Sequence, residues 1–172
     1  MLYYNSQVGG LKMETLSFEK HDHRACIAKS LEIVVRCCKE AELQFTPTRK
    51  KVLEILLEEH RALGAYEILE KLRADGISSQ PPVAYRALDF LVKNGFAHKI
   101  EGLNAFIACT ILGKAHSPAF LICRMCAAVA ESQPENSREY LDDTAQNAGF
   151  LIENTVIEAQ GLCPKCQRDS VG

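Results

Sequence analysis

Pro81-Pro82-Val83-Ala84-Tyr85-Arg86-Ala87-Leu88-Asp89-Phe90-Leu91-Val92-Lys93-Asn94-Gly95-Phe96-Ala97-His98-Lys99-Ile100 is the stretch whose reading decides the fold. A proline pair cannot sit inside a helix but suits its entrance, where the first amides have no intrahelical acceptor. A helix is therefore predicted over residues 83–94, with Gly95 as its left-handed stop. Ala84, Ala87, Leu88 and Leu91 form its packing face, so Tyr85 and Arg86 project outward from the first turn. Next come two short strands, 96–100 and 105–109, joined through Gly102 and Asn104 as a hairpin.

Working upstream, the apolar positions Ile27, Leu31, Val34, Val35, Cys38 and Ala41 step by three and four, the period of a helix with one buried stripe over 19–43. Thr46 is placed to cap a second helix that has Pro47 at its first position and Val52, Leu53, Leu56 and Leu57 facing inward. A short third helix over 65–74 turns Ile68, Leu69 and Leu72 inward and ends before Gly76. Helices followed by a hairpin make a winged helix-turn-helix, assigned to residues 19–108. Residues 109–118 hold Gly113, His116 and Pro118 without apolar periodicity and read as a hinge. Beyond it, strands over 119–122, 127–131 and 150–158 and a helix over 135–148 make a small α/β domain of residues 119–172, so the fold class is α+β. Residues 1–18 have neither the apolar run nor the cleavage site of a signal peptide and are expected to be a disordered extension, with Met13 an alternative start.

Composition narrows the function. A 172-residue chain with 47% hydrophobic and 24% charged residues buries a core without cross-links, which excludes disordered and collagen-like classes. No segment approaches the ~20 apolar residues of a membrane span, so a cytoplasmic protein is expected. The net charge of −2 argues against coating nucleic acid by bulk electrostatics. Up to Ala108 there are 15 Lys and Arg against 14 Asp and Glu, and from Cys109 onward 5 against 8, so any nucleic-acid contact belongs to the first half.

Eight cysteines in a reducing compartment point to metal or redox chemistry. Cys123-x-x-Cys126 and Cys163-x-x-Cys166 supply four thiolates, each pair spaced so that both sulfurs of a tight turn face one zinc ion. The 36 residues between the pairs exceed the spacing of a compact zinc ribbon, so the fold must bring the two turns together. A thioredoxin-like oxidoreductase needs such a pair at a helix start after a strand, a setting not evident around either pair. Cys26, Cys37 and Cys38 read as helix-packing thiols.

A second set is mixed: His98 on the first hairpin strand, Cys109 at the end of the second, His116 in the hinge and Glu131 after the first cysteine pair. Two imidazoles, a thiolate and a carboxylate make a tetrahedral set that suits zinc. Taken singly, each also has an ordinary explanation as a wing cap, a core thiol, a loop residue and a strand-edge carboxylate. Tyr85 and Arg86 read either as a solvated helix face or as base contacts, Arg offering two parallel donors to guanine. Arg49, Lys50 and Lys51 are candidates for holding the phosphate backbone.

These motifs together resemble the ferric uptake regulator superfamily: Thr46-Pro47-Thr48-Arg49, then Pro81 to Leu88, His98-Lys99 and the two cysteine pairs, in order and at compatible distances. Tyr85 to Leu91, Gly95 to Lys99 and Val156-Ile157-Glu158-Ala159-Gln160-Gly161-Leu162-Cys163 are most similar to its zinc uptake regulator branch. The resemblance implies a zinc-dependent transcriptional repressor, not an enzyme: a homodimer that binds double-stranded operator DNA, does not enter a membrane and carries two zinc ions per chain. It implies a structural zinc on Cys123, Cys126, Cys163 and Cys166, and a regulatory zinc on His98, Cys109, His116 and Glu131. Tyr85 and Arg86 match the recognition-helix pair. Iron-, manganese- or peroxide-responsive regulators share the fold, while a thiol oxidoreductase or zinc hydrolase would be a different class. Family members usually carry Thr before the hydrophobic residue and Tyr of the recognition helix, whereas Val83 and Ala84 stand there in this sequence, removing a hydroxyl.

Overall fold

The computed structural model describes residues 23–59, 61–77, 80–112, 118–132, 137–153 and 155–169, with the side chains of 23–25 and 137–140 excepted. The expected extension over 1–18 and residues 113–117 of the expected hinge, His116 included, lie outside these residues.

Four helices build the first half: α1 (His23–Glu40), α2 (Pro47–Glu58), α3 (Ala65–Ala74) and α4 (Pro81–Lys93). Thr46 caps α2 by accepting the Arg49 amide at 3.4 Å, and Gly95 closes α4 at a φ of 69°. Strands β1 (Leu63–Gly64), β2 (Ala97–Ile100) and β3 (Ala105–Ala108) form an antiparallel sheet in the order β1-β3-β2. The hairpin turn between β2 and β3 is a single 3-10 turn, Glu101–Leu103, and Asn104 leaves it in the left-handed region at a φ of 45°. Leu53, Ile55, Ile68, Leu88 and Leu91 are fully buried at the centre of one apolar core that joins all four helices to the hairpin.

In the second half β4 (Ala119–Cys123) is central, antiparallel to β5 (Val129–Ser132) and parallel to β6 (Ile157–Gly161), and α5 (Ser137–Asn147) spans the crossover between β5 and β6. A last helix, α6 (Pro164–Asp169), follows the sheet. The architecture is the expected α+β class. Three elements differ from expectation. The strand expected over 150–158 forms at β6 instead: after Gly149 the apolar Phe150 and Leu151 stay exposed, and pairing with β4 takes up Glu158 and Gln160. β1 and α6 were not expected, being too short to show a period.

The two halves dock. Ala62, Ile100, Ala105 and Ile107 from the first share one apolar cluster with Phe120, Ile122 and Val129 from the second, and Arg61 bridges Ala128. Phe120 is fully buried, which is worth about 1.5–3 kcal/mol in all, and this contact supplies a part of it.

Candidate metal centres

The parallel pairing of β4 with β6 explains how 36 intervening residues are spanned. It sets Cys123 opposite Gly161, and the Arg124 amide donates to the Gly161 carbonyl at 2.9 Å. The Cys163 turn is thus carried to the Cys123 turn. One ligand atom from each of Cys123, Cys126, Cys163 and Cys166 lies within 4.8 Å of the others, and the Cys126 and Cys163 sulfurs are 3.7 Å apart. Tetrahedral zinc with Zn–S bonds of about 2.3 Å needs sulfurs about 3.8 Å apart, so the donor set fits the ion. Amide hydrogens of Cys163 and Cys126 draw the Cys123 thiol down to about 6, toward the thiolate a metal needs, whereas hydrogen bonding to Cys163 pushes Cys166 up. The second pair does stand between a strand and a helix start, β6 and α6, the setting the sequence left unseen. All four cysteines are free of disulfides.

A second cluster straddles the two halves. His98 projects from β2, Cys109 follows β3 with its amide donating to the Phe96 carbonyl at 3.0 Å, and Glu131 reaches in from β5. Their ligand atoms lie within 4.8 Å of one another. His98 Nε2 is 3.1 Å from Glu131 Oε1, and the other carboxylate oxygen accepts from the Thr110 amide at 2.9 Å and its hydroxyl at 2.5 Å. The His98 ring also packs against Phe120, with centroids 5.4 Å apart.

Glu131 is only 4% exposed, and a buried carboxylate is costly without partners. Burial by itself pushes its carboxyl up, but hydrogen bonds from His98 and Thr110 outweigh that and hold it at about 2. Burial pushes the Cys109 thiol up to about 12, with the Glu131 charge adding to the shift. A thiolate at Cys109 therefore requires a cation beside it, and nitrogen, sulfur and oxygen donors at this spacing fit zinc. His116, the fourth residue of the expected set, lies outside the described residues.

The nucleic-acid candidates separate. Tyr85 is 44% exposed and Arg86 is exposed, with Arg86 Nε donating to the Pro82 carbonyl at 3.2 Å; because α4 opens at Pro81 rather than Val83, the pair stands on its second turn and not on the expected first. Lys50 is exposed at the end of the first turn of α2, with Glu54 3.8 Å away. Lys51 is tied to Asp75 at 2.8 Å. Arg49 is not a free basic side chain: its guanidinium lies 3.7 Å over the Phe90 ring and donates to the Gln44 carbonyl, joining α2 to α4. Ala84 is buried in the packing face of α4, whereas Val83 is half-buried.

A ferric uptake regulator family model matches residues 40–160. The chain is 36% identical over 132 residues to the zinc uptake regulation protein of Escherichia coli (strain K12), covering 76% of this chain and 77% of that one. This chain belongs to the ferric uptake regulator family. Among solved structures, this family member matches a zinc uptake regulator complexed with zinc and DNA at a TM-score of 0.81 and 32% identity, over 89% of this chain and 100% of that one. It matches holo XcZur at 0.76 and apo XcZur at 0.50, each at 38% identity, over 81% and 83% of this chain and 98% and 99% of theirs. The family member thus has the shape of the holo relative more than of its apo form.

Proposed function

We propose that this family member is a cytoplasmic zinc-responsive repressor, a homodimer holding two zinc ions per chain, that binds operator DNA when its mixed cluster is loaded and controls zinc homeostasis genes. One observation carries the reading: His98 and Cys109 belong to the winged half and Glu131 to the other, so closing the cluster fixes the angle between them. Bound zinc supplies a divalent charge with a tetrahedral preference. His98 and Cys109 bring the hairpin, Glu131 brings the β4–β5 sheet, and His116 completes the set. With these ligands together, the two recognition helices of a dimer meet two half-sites at once, Tyr85 and Arg86 contacting bases and Lys50 a phosphate. Residues favouring the closed arrangement raise its population, and DNA tightens zinc binding reciprocally.

The exposed Leu121, Leu141, Phe150, Leu151 and Val156 all lie in the second half and support its role as the dimerisation domain. The cysteine cluster is structural. Four ligands at each site leave no open position for hydrolytic chemistry. The Cys109 thiol in the labile set favours zinc over iron or manganese. No helix among the described residues is long and apolar enough to cross a membrane.

The test is metal content per chain with operator binding during stepwise chelation. Two zinc ions, the first removed together with operator binding, is the expected result. Operator binding that follows iron or manganese instead, or that persists in Cys109→Ser, overturns it.

A further inference from the structure

Phe120 is the second residue of β4, with Glu131 opposite it on β5 and Glu158 opposite it on β6. Residues directly across neighbouring strands share a face, so Glu131, Phe120 and Glu158 form one row across the sheet. Each member of the row meets the β2–β3 hairpin. Glu131 reaches His98, and Phe120 packs against the His98 ring. Glu158 accepts the Glu101 amide on Oε1 at 2.7 Å and the Gly102 amide on Oε2 at 2.9 Å, at the turn of the wing. Two successive backbone N–H groups at a turn make a concavity suited to an anion, and a carboxylate accepting both is held in register.

We propose that Glu158 is a positioning residue of the switch: its carboxylate, seated on the Glu101 and Gly102 amides, holds the wing at the second end of the row and fixes the angle of the reading head. Ligands at the His98 end give the hairpin one directional anchor, beside the apolar packing of Ile100, Ala105 and Ile107 on Phe120, Ile122 and Val129, which is non-directional. Glu158 supplies the second anchor from the opposite edge of the sheet, and two anchors define an orientation. The turn is shaped to receive it. A Cβ on Gly102 would stand 2.8 Å from Glu158 Oε2, so glycine leaves room for the carboxylate there. The contact needs no metal and belongs to neither ligand cluster. It is formed here in the arrangement that the holo relative shares. The inference rests on the proposed zinc-gated repressor.

The experiment uses the zinc-loaded full chain, Glu158→Ala, Glu158→Gln, Gly102→Ala and the Glu158→Ala/Gly102→Ala pair. Amide exchange at Glu101 and Gly102 should be slow in the parent, at least about 10-fold faster in Glu158→Ala, and intermediate in Glu158→Gln, which keeps one acceptor. Operator binding at saturating zinc should weaken by about 5- to 30-fold in Glu158→Ala and in Gly102→Ala, with the pair no worse than either single change. Zinc content, dimer formation and nonspecific DNA binding should stay as in the parent, a separation that a merely structural role would not give. Unchanged exchange at both amides, operator binding within twofold of the parent, or additive losses in the pair overturn the proposal. The exchange arm needs no operator. Protected amides in a parent chain without zinc-dependent operator binding would overturn the functional reading and leave the contact itself standing.

Discussion

The first half of the chain is held by apolar burial and the second half by thiols and docking. Val52, Leu53, Ile68, Leu72, Leu88 and Leu91 are buried within the first half's own core. In the second half Phe120, Ile122 and Val129 share their buried cluster with Ala62, Ile100, Ala105 and Ile107 of the first, and Cys123, Cys163 and Cys166 form a separate buried cluster. A unit this small has little interior to balance chain entropy, and a metal bound only in the folded state would supply what is missing. The same asymmetry separates the two candidate centres: the cysteine cluster lies wholly in the second half, and the mixed cluster spans both halves.

The largest effect should come from breaking the cysteine cluster. Structural zinc carries an apparent ~10–16 kcal/mol of folding energy, so Cys163→Ser or strong chelation should remove amide protection from β4–β6 while α2–α4 keep theirs. Exchange mapped along the chain checks this, and uniform loss across both halves would break the comparison. Next, Leu88→Ala opens a cavity in the first half's core and should cost about 2–5 kcal/mol there, read from denaturant unfolding. Zinc bound by the cysteine cluster should stay at one ion per chain in that variant. A parallel loss of that zinc would mean the two halves do not fold on separate terms.

Much of this was legible in the sequence, for physical reasons. The helices announced themselves because a 3.6-residue period over ten or more positions, a Thr46 cap and the prolines at 47, 81 and 82 all agree. The cysteine cluster was legible because a Cys-x-x-Cys turn is local chemistry. His98, Cys109 and Glu131 come from three separate strands or strand ends, and only the docking of the two halves unites them, so spacing left them ambiguous until the family motifs were considered. Glu158 has no role visible in the sequence, since register across β4 is what aims it at the wing. The exposed Phe150 and Leu151 misplaced a strand because an apolar run signals burial of some kind, and here none occurs within one chain.

Arg49 sharpens the comparison further, because the sequence offered it as a phosphate contact while the structure seats it between α2 and α4. Arg49→Ala should destabilise the first half by about 1 kcal/mol, and Arg49→Lys should restore little, since an ammonium does not reproduce a stacked guanidinium. Lys50→Ala should do the reverse, leaving stability within about 0.5 kcal/mol and lowering the salt slope of DNA binding by about 1. Thermal unfolding and salt titration together separate the two residues. Equal salt slopes for both variants would return Arg49 to the DNA face.

The smallest effect tests the first half's rim, where Arg61 carries the bridge to Ala128. Glu67 accepts the Gly64 amide at 3.0 Å, closing the start of α3, and pairs with Arg61 at 2.8 Å. The Arg61 hydrogen bond first, and the Gly64 amide second, hold the Glu67 carboxyl below its usual range. A carboxyl lowered by folding adds stability above its unfolded value of about 4.3, and that contribution is lost as pH falls through the folded value. With 46% of the side chain exposed, solvent screening limits the gain to about 0.5–1 kcal/mol. Glu67→Gln should therefore lie about that far below the parent at pH 7, and the gap should close on acidification. Taking the difference between the two proteins at each pH cancels thiolate protonation, which both share, so a gap that stays constant down to pH 3 would assign the loss to packing rather than charge.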